Sequence, residues 1–335
     1  MKKVEITIGT WDYDRVRPIM DGRVQVEGCE INFIKVSPEE CFHRAWYYQD
    51  FDVSEIGLSG YIIATSRGTG IGGVSPYVAI PAFLSRTFRC SGIYIRTDRG
   101  IEKPEDLKGK RVGVPEYQIT AAIWSRGYLA DEYGIKAEDI NWVQGSMDNP
   151  GRKDKWPNNL PKGFPLQHLT GNQTINDLLQ NGELDAFIGP RTPRCYRDGK
   201  TPVRRLFEDF ETVEKAYYRK THIFPIMHAV GIRRELYEKH PWLALNLYLA
   251  FSEAKRISQA ELFETAALKI GLPWVVSSAL SAQEVMGPDI FAYGVEASRP
   301  TLEAAIRYSV DQYMAVRPVT IEELFPPNTL TDPKT

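Results

Sequence analysis

Apolar and polar positions alternate through VEITIGTW (4–11), the period of a half-buried strand. VQVEGCEINFI (24–34) gives two short alternating runs broken at Gly28 and predicts a second strand. Pro38-Glu39-Glu40 opens a helix running through Tyr48, since proline is tolerated in a first turn and acids favour its positive end. FDVSEIGLS (51–59) reads as a strand running into a loop, and 60–66 suits a short helix. YVAIPAF (77–83) and GIYIRTD (92–98) add two strands. A short helix at 104–107 and a turn at Gly109 precede a buried strand at 112–114; a helix begins at Thr120, and NWVQG (141–145) is again a strand. In TINDLLQNGELDAFIGP (174–190) a helix stops at Gly182 and a strand ends before Pro190. HAVGIRREL (228–236) begins another strand, and from Pro241 helices dominate, over 242–263 and 299–315. Residues 148–165 hold four prolines and little periodicity, which predicts a loop, read as a solvated insertion in preference to a flap. Strands alternating with helices indicate α/β with mainly parallel sheets.

Composition narrows the class. A chain of 335 residues fits two domains, and 43% hydrophobic with 25% charged residues is ordinary for a globular protein. The 41 basic and 43 acidic residues leave a net charge of −2, so no basic excess exists to neutralise a nucleic-acid backbone. No run of 18 apolar residues offers a membrane-spanning helix, and MKKVEITIGTW lacks the apolar stretch of a leader, so a cytoplasmic location is expected. The four cysteines show no CxxC spacing and are expected to be reduced, buried thiols. The five histidines are scattered, so no metal is expected. Gly68, Gly70 and Gly73 spell G-x-G-x-x-G, but helical residues precede them and extended ones follow, the reverse of a dinucleotide site; a glycine turn is the better reading.

Several stretches then read together: GTWDYDRVRP, FDVSEIGLSGY, KPEDLKGKRVGVPEYQITAAIWSRGYL, NGELDAFIGPR, HIFPIMHAVGIRREL and YGVEASRPTLEAAIRYSVDQY. Over residues 4 to about 325 the chain resembles the periplasmic-binding-protein type II fold, and within it the 4,5-dihydroxyphthalate decarboxylase family. PEDLKGKRVGV supports the fold only, whereas PEYQ-TA-W-RG and FPIMH point to the decarboxylase-like branch. The resemblance implies a two-lobed α/β fold with a ligand cleft between the lobes. Lobe one would begin with 1–94, lobe two would take 95–225, and 226–335 would complete lobe one with C-terminal helices. It also implies a lyase of aromatic catabolism, specifically phthalate degradation. Such an enzyme removes carbon dioxide from a hydroxylated aromatic (di)carboxylate resembling 4,5-dihydroxyphthalate by protonating a ring carbon. The implied partner is that small molecule, with no cofactor, no nucleic acid and no membrane; a homo-oligomer is left open. A solute-binding protein for a small organic anion is the alternative of another class, and another intracellular lyase on the same fold is a third.

Ligands of open α/β sheets sit beyond the carboxyl ends of strands, which selects the loops 11–15, 57–60, 115–120 and 189–191. Arg15 and Arg191 are the expected carboxylate clamps, because a guanidinium fork matches a carboxylate. Thr120 and the N–H groups of its helix start would add donors. One of Trp11 and Tyr13 would face the ring while Asp12 accepts a phenolic proton; a core role for Trp11 is equally open. Ser59 would bond a hydroxyl or cap its loop. Glu116, Tyr117 and Gln118 lie in a strand-to-helix turn that should expose them, and Glu116 could work as acid or base. His228 lies in an apolar strand. Such a histidine is commonly a hydrogen-bonded core residue; the resemblance makes it the expected proton donor. His222, outside the pattern of the resemblance, is a further candidate substrate contact.

Overall fold

A computed structural model of the chain describes residues 2–150, 156–157 and 159–331. They form two units, one from 1–86, 218–303 and 319–335, the other from 87–217 and 304–318. In the first, strands β1 (Val4–Thr10), β2 (Cys29–Lys35), β3 (Val53–Gly57), β4 (Tyr77–Arg86) and β11 (Ile226–Arg233) make a five-stranded sheet. Its order is β2-β1-β3-β11-β4. The second unit holds β5 (Ile93–Arg96), β6 (Arg111–Val114), β7 (Asn141–Gln144), β8 (Leu166–His168), β9 (Ala186–Ile188) and β10 (Val203–Arg205), ordered β10-β5-β9-β6-β7-β8.

Both sheets are mixed, with parallel pairings slightly outnumbering antiparallel ones among the described strands. β1 runs parallel to β2 and β3, and β6 runs parallel to β7 and β9, as does β7 to β8. β11, however, is antiparallel to both β3 and β4, and β5 is antiparallel to both β9 and β10. These inserted strands are distant in sequence from their neighbours, so local alternation carries no sign of their direction.

Local boundaries largely follow the residues. Pro38–Tyr48 is helical, with Ser37 accepting the N–H of Glu40 and Pro38 in the first turn. Helix Ile175–Asn181 stops where Gly182 takes φ 80°, the left-handed cap that favours glycine. Val24 and Val26 are buried, yet the second strand starts only at Cys29. The helix expected from Gly60 begins at Leu58, directly on Gly57 with no intervening loop. Gly70, Gly72 and Gly73 all have positive φ in the connection to β4, the glycine turn expected there. Of the expected 148–165 loop, 151–155 and 158 lie outside the described residues, and regular structure resumes with Leu166. The four cysteines are buried and unbridged. Among the described residues no helix is long and apolar enough to cross a membrane.

Residues 304–318, kept with lobe one in the sequence reading, cluster with the second unit. The end of helix Val295–Asp311 packs there on helix Thr120–Tyr133: Tyr308 lies against Gly127, and Arg307 pairs with Asp131 at 2.6 Å.

Candidate active site

Strand β3 is buried at Val53, Ser54, Glu55 and Ile56, so it puts a carboxylate inside the first unit's sheet. An unpaired buried carboxylate would be costly, and its partners account for its survival. Glu55 Oε1 accepts from Tyr13 Oη at 2.6 Å and from His228 Nδ1 at 2.6 Å, while Oε2 accepts the Trp11 N–H at 3.1 Å. Two chain features bring these groups together. The first loop leaves β1 beside β3, and antiparallel β11 pairs His228 with Gly57 on one side and Ser85 on the other.

Burial alone would raise the Glu55 pKa, but His228, Tyr13 and the Trp11 N–H hold it below the ordinary carboxylate value. Burial, and then the Glu55 charge, push Tyr13 well above an ordinary phenol, so Tyr13 remains a neutral donor. Phe42 meets the His228 ring edge-on at 4.7 Å. With Nδ1 committed to Glu55, Nε2 is the nitrogen left to face a reacting atom; it bonds no protein group among the described residues. This is a carboxylate–imidazole pair able to present a proton.

Not every expected residue joins it. Asp12 points to Arg17 at 2.9 Å and Lys35 at 3.7 Å, and chiefly Arg17 holds its carboxyl below the usual range. The Trp11 N–H and the Tyr13 hydroxyl face Glu55, while the Asp12 carboxylate faces these cations. Arg15 is occupied too: Nε donates to the Leu84 carbonyl at 2.7 Å, Nη1 meets Asp14 at 2.9 Å, and the guanidinium lies 4.2 Å from the Tyr13 and Phe291 rings. It braces Tyr13 and is not an open clamp. Trp11 is 44% exposed and so is not a core residue, while Ser59 is buried in the first turn of helix Leu58–Ser66. His222 is exposed at φ 54°, its N–H on the Tyr218 carbonyl at 2.8 Å, and it directly follows helix Phe210–Thr221.

In the second unit the 115–120 turn is folded inward, contrary to the exposure expected. Glu116, Tyr117, Gln118 and Thr120 are all buried. The Tyr117 N–H donates to Gln144 Oε1 at 2.7 Å, and Trp142 and Phe164 meet its ring edge-on at 5.9 and 5.4 Å. Gln118 exchanges two hydrogen bonds with the backbone of Trp156. Trp124 is buried, its ring edge-on to Tyr308 at 5.5 Å. Arg191 is exposed three residues beyond β9. Among the described residues no group of three or more His, Cys, Asp or Glu could hold a metal.

The sequence reading passed over Glu55. The signal was present: one acid inside the otherwise uncharged run Val53–Leu58 must find partners if that run is a central strand.

Comparison with known proteins places the chain. The family described as NMT1/THI5 like matches residues 75–151. Two solved structures share the fold: the periplasmic aliphatic sulphonate binding protein SsuA from Escherichia coli and a putative periplasmic sulfonate-binding SsuA from Methylobacillus flagellatus. The first is 16% identical at TM-score 0.52, covering 98% of this chain and 99% of that one. The second is 12% identical at TM-score 0.56, covering 98% and 93%. The fold is thus of the two-lobed type II binding-protein class. A 4,5-dihydroxyphthalate decarboxylase from Comamonas testosteroni is 41% identical over 330 residues, 98% of each chain. One from Pseudomonas putida is 43% identical over 219 residues, 65% of this chain and 83% of that one. Identity of that order along nearly the whole length assigns the chain to the 4,5-dihydroxyphthalate decarboxylase family.

Proposed function

We propose that this protein is a carboxy-lyase that removes one carboxylate, as carbon dioxide, from 4,5-dihydroxyphthalate or a close hydroxylated aromatic dicarboxylate, with His228 as the proton donor. The observation that carries the reading is the 2.6 Å contact between His228 Nδ1 and the buried Glu55 carboxylate, which leaves Nε2 to the substrate. Family membership supplies the substrate class.

The chemistry follows from that pair. A ring hydroxyl para to the departing carboxylate feeds electron density into the carbon that carries it. The imidazolium Nε2–H gives its proton to this carbon, forming a C–H bond and leaving a neutral imidazole. The bond to the carboxylate then breaks, its electron pair restores the aromatic ring, and carbon dioxide leaves. Water returns the proton to Nε2. The balance is one proton consumed and one carbon dioxide released per turnover. Glu55 holds the ring orientation through Nδ1 and balances the imidazolium charge, the positioning service that acid–base catalysis needs. Tyr13 and the Trp11 N–H keep Glu55 anionic.

Purified protein incubated with 4,5-dihydroxyphthalate should release carbon dioxide, and in deuterated water the product should carry deuterium at the vacated ring carbon. A folded protein that binds this acid and releases no carbon dioxide would instead be a binding protein for an organic anion.

A further inference from the structure

Helix Val275–Met286 belongs to the first unit and is covered along one narrow side. Its sequence, VVSSALSAQEVM, is mostly apolar, yet only Val275 and Ala279 are buried. Leu280 on the helix is 55% exposed. The chain leading into it adds Leu268 and Leu272, both exposed, and Trp274, which is 72% exposed. Together these four side chains leave on the order of 400 Å² of apolar surface in water, about half of one side of a standard protein–protein interface. A 12-residue helix is marginal in water unless its apolar face is packed, and two buried residues supply little of that packing.

The exposed face is complementary to itself. Ser277, Leu280, Ser281 and Glu284 recur at three- and four-residue spacing and share the side opposite Val275 and Ala279. A leucine beside serines gives one knob and one shallow hole. Two such helices laid antiparallel set Leu280 of each copy against Ser277 of the other. The charges agree with that arrangement. Trp274, the N-cap, offers no side-chain acceptor to the first N–H groups of the helix. Glu284 stands in the last turn, where the helix dipole disfavours an acid, and among the described residues it pairs with no cation. In the antiparallel pair Glu284 of one copy comes beside the uncapped start of the other, where an acid is favoured. A lipid surface would instead be met by cations flanking the apolar face. Over residues 264–284 Lys269 is the single cation, against Glu264 and Glu284.

We propose that residues 268–284 are a self-association surface, on which two copies of this chain pair through antiparallel Val275–Met286 helices about a twofold axis passing between Ser278 and Ala279. The surface uses no residue of the Glu55–His228 pair and stands apart from the reaction proposed above.

Sedimentation equilibrium of the full chain tests the pairing. Wild-type protein should form a dimer, or a larger even-numbered assembly. Leu280→Glu should split that contact, raising the dissociation constant at least about thirtyfold. Glu284→Gln should weaken association about three- to thirtyfold, since the contact occurs twice. Leu280, Ser277 and Glu284 are exposed in the single chain, so none of these changes should disturb the fold. Cross-linking reads the register. The four native cysteines are buried, so Ser277→Cys supplies an accessible thiol. Helices packed about 8–10 Å apart bring its two copies within reach of a short bismaleimide. Ser277→Cys should give a covalent dimer, while Lys200→Cys, exposed in the second unit, should not. Wild-type protein that stays monomeric at high micromolar concentration would overturn the proposal. So would an assembly that Leu280→Glu leaves intact, association unchanged in Glu284→Gln, or cross-linking no better at Ser277→Cys than at Lys200→Cys. Monomeric protein that floats with phosphatidylserine vesicles would overturn it in favour of a membrane surface.

Discussion

Replacing Glu55 by glutamine keeps the size of the side chain and removes only its charge. The carboxylate accepts three hydrogen bonds, two at Oε1 and one at Oε2. An amide has one acceptor oxygen, so its NH2 must oppose either the Trp11 N–H or both Tyr13 Oη and His228 Nδ1. The less costly choice turns the amide toward Trp11 and strands a donor there, which should lower stability by about 1–3 kcal/mol. The bond to His228 survives in that arrangement but loses its anionic partner. A hydrogen bond to a charged group contributes about 1.5–3 kcal/mol against about 1 for a neutral one. If the imidazolium is the acid, its loss of support should appear as a roughly three- to thirtyfold drop in kcat. Carbon dioxide release under saturating substrate reads kcat, and thermal unfolding of the same preparation reads stability. Tyr13→Phe removes one donor and leaves the Glu55–His228 contact, so its effect on kcat should be the smaller. Undiminished kcat in Glu55→Gln, with the expected fall in melting temperature, would show that the pair is structural and refute the proton-donor assignment.

Three further outcomes are expected. His228→Asn removes the titrating group, so kcat should fall by about 10²–10⁴-fold with little change in substrate affinity; parallel losses in both would mark a structural histidine. Gly127→Ala would ordinarily favour a helix by about 1 kcal/mol, but here the added Cβ would overlap the Tyr308 ring, and denaturant unfolding should show a loss of about 1–3 kcal/mol. Burial raises Glu214 from 4.5 to about 7, so the folded chain keeps a proton that the unfolded chain releases. Stability from this group is therefore greatest below about pH 4.5 and lost as pH rises toward 7. Because the group is partly solvated, Glu214→Gln should gain only about 1–2 kcal/mol over wild type at pH 8 and nothing at pH 4, as unfolding at the two pH values would show.

What short stretches of sequence determined about this protein is what neighbours along the chain can decide. Alternation marked β1, Pro38 with its acids marked the start of a helix, and Gly182 marked a stop, because pleat, first-turn charge and left-handed backbone are local matters. Motifs carried the family further than periodicity could, and with it the expectation that His228 does chemistry. Tertiary structure alone decided its partner. Glu55 stands 173 residues away and reaches the imidazole only because β11 inserts antiparallel between β3 and β4. The same holds in the second unit, where Arg126 finds Gln312 across 186 residues and, among the described residues, no carboxylate. A residue's type announces that it can carry charge; whether that charge is paired, solvated or left alone in the interior depends on which distant segments pack around it. That is why Asp12, legible as a candidate base, is an ion-paired carboxylate, while Glu55, hidden in a strand, stands against the imidazole.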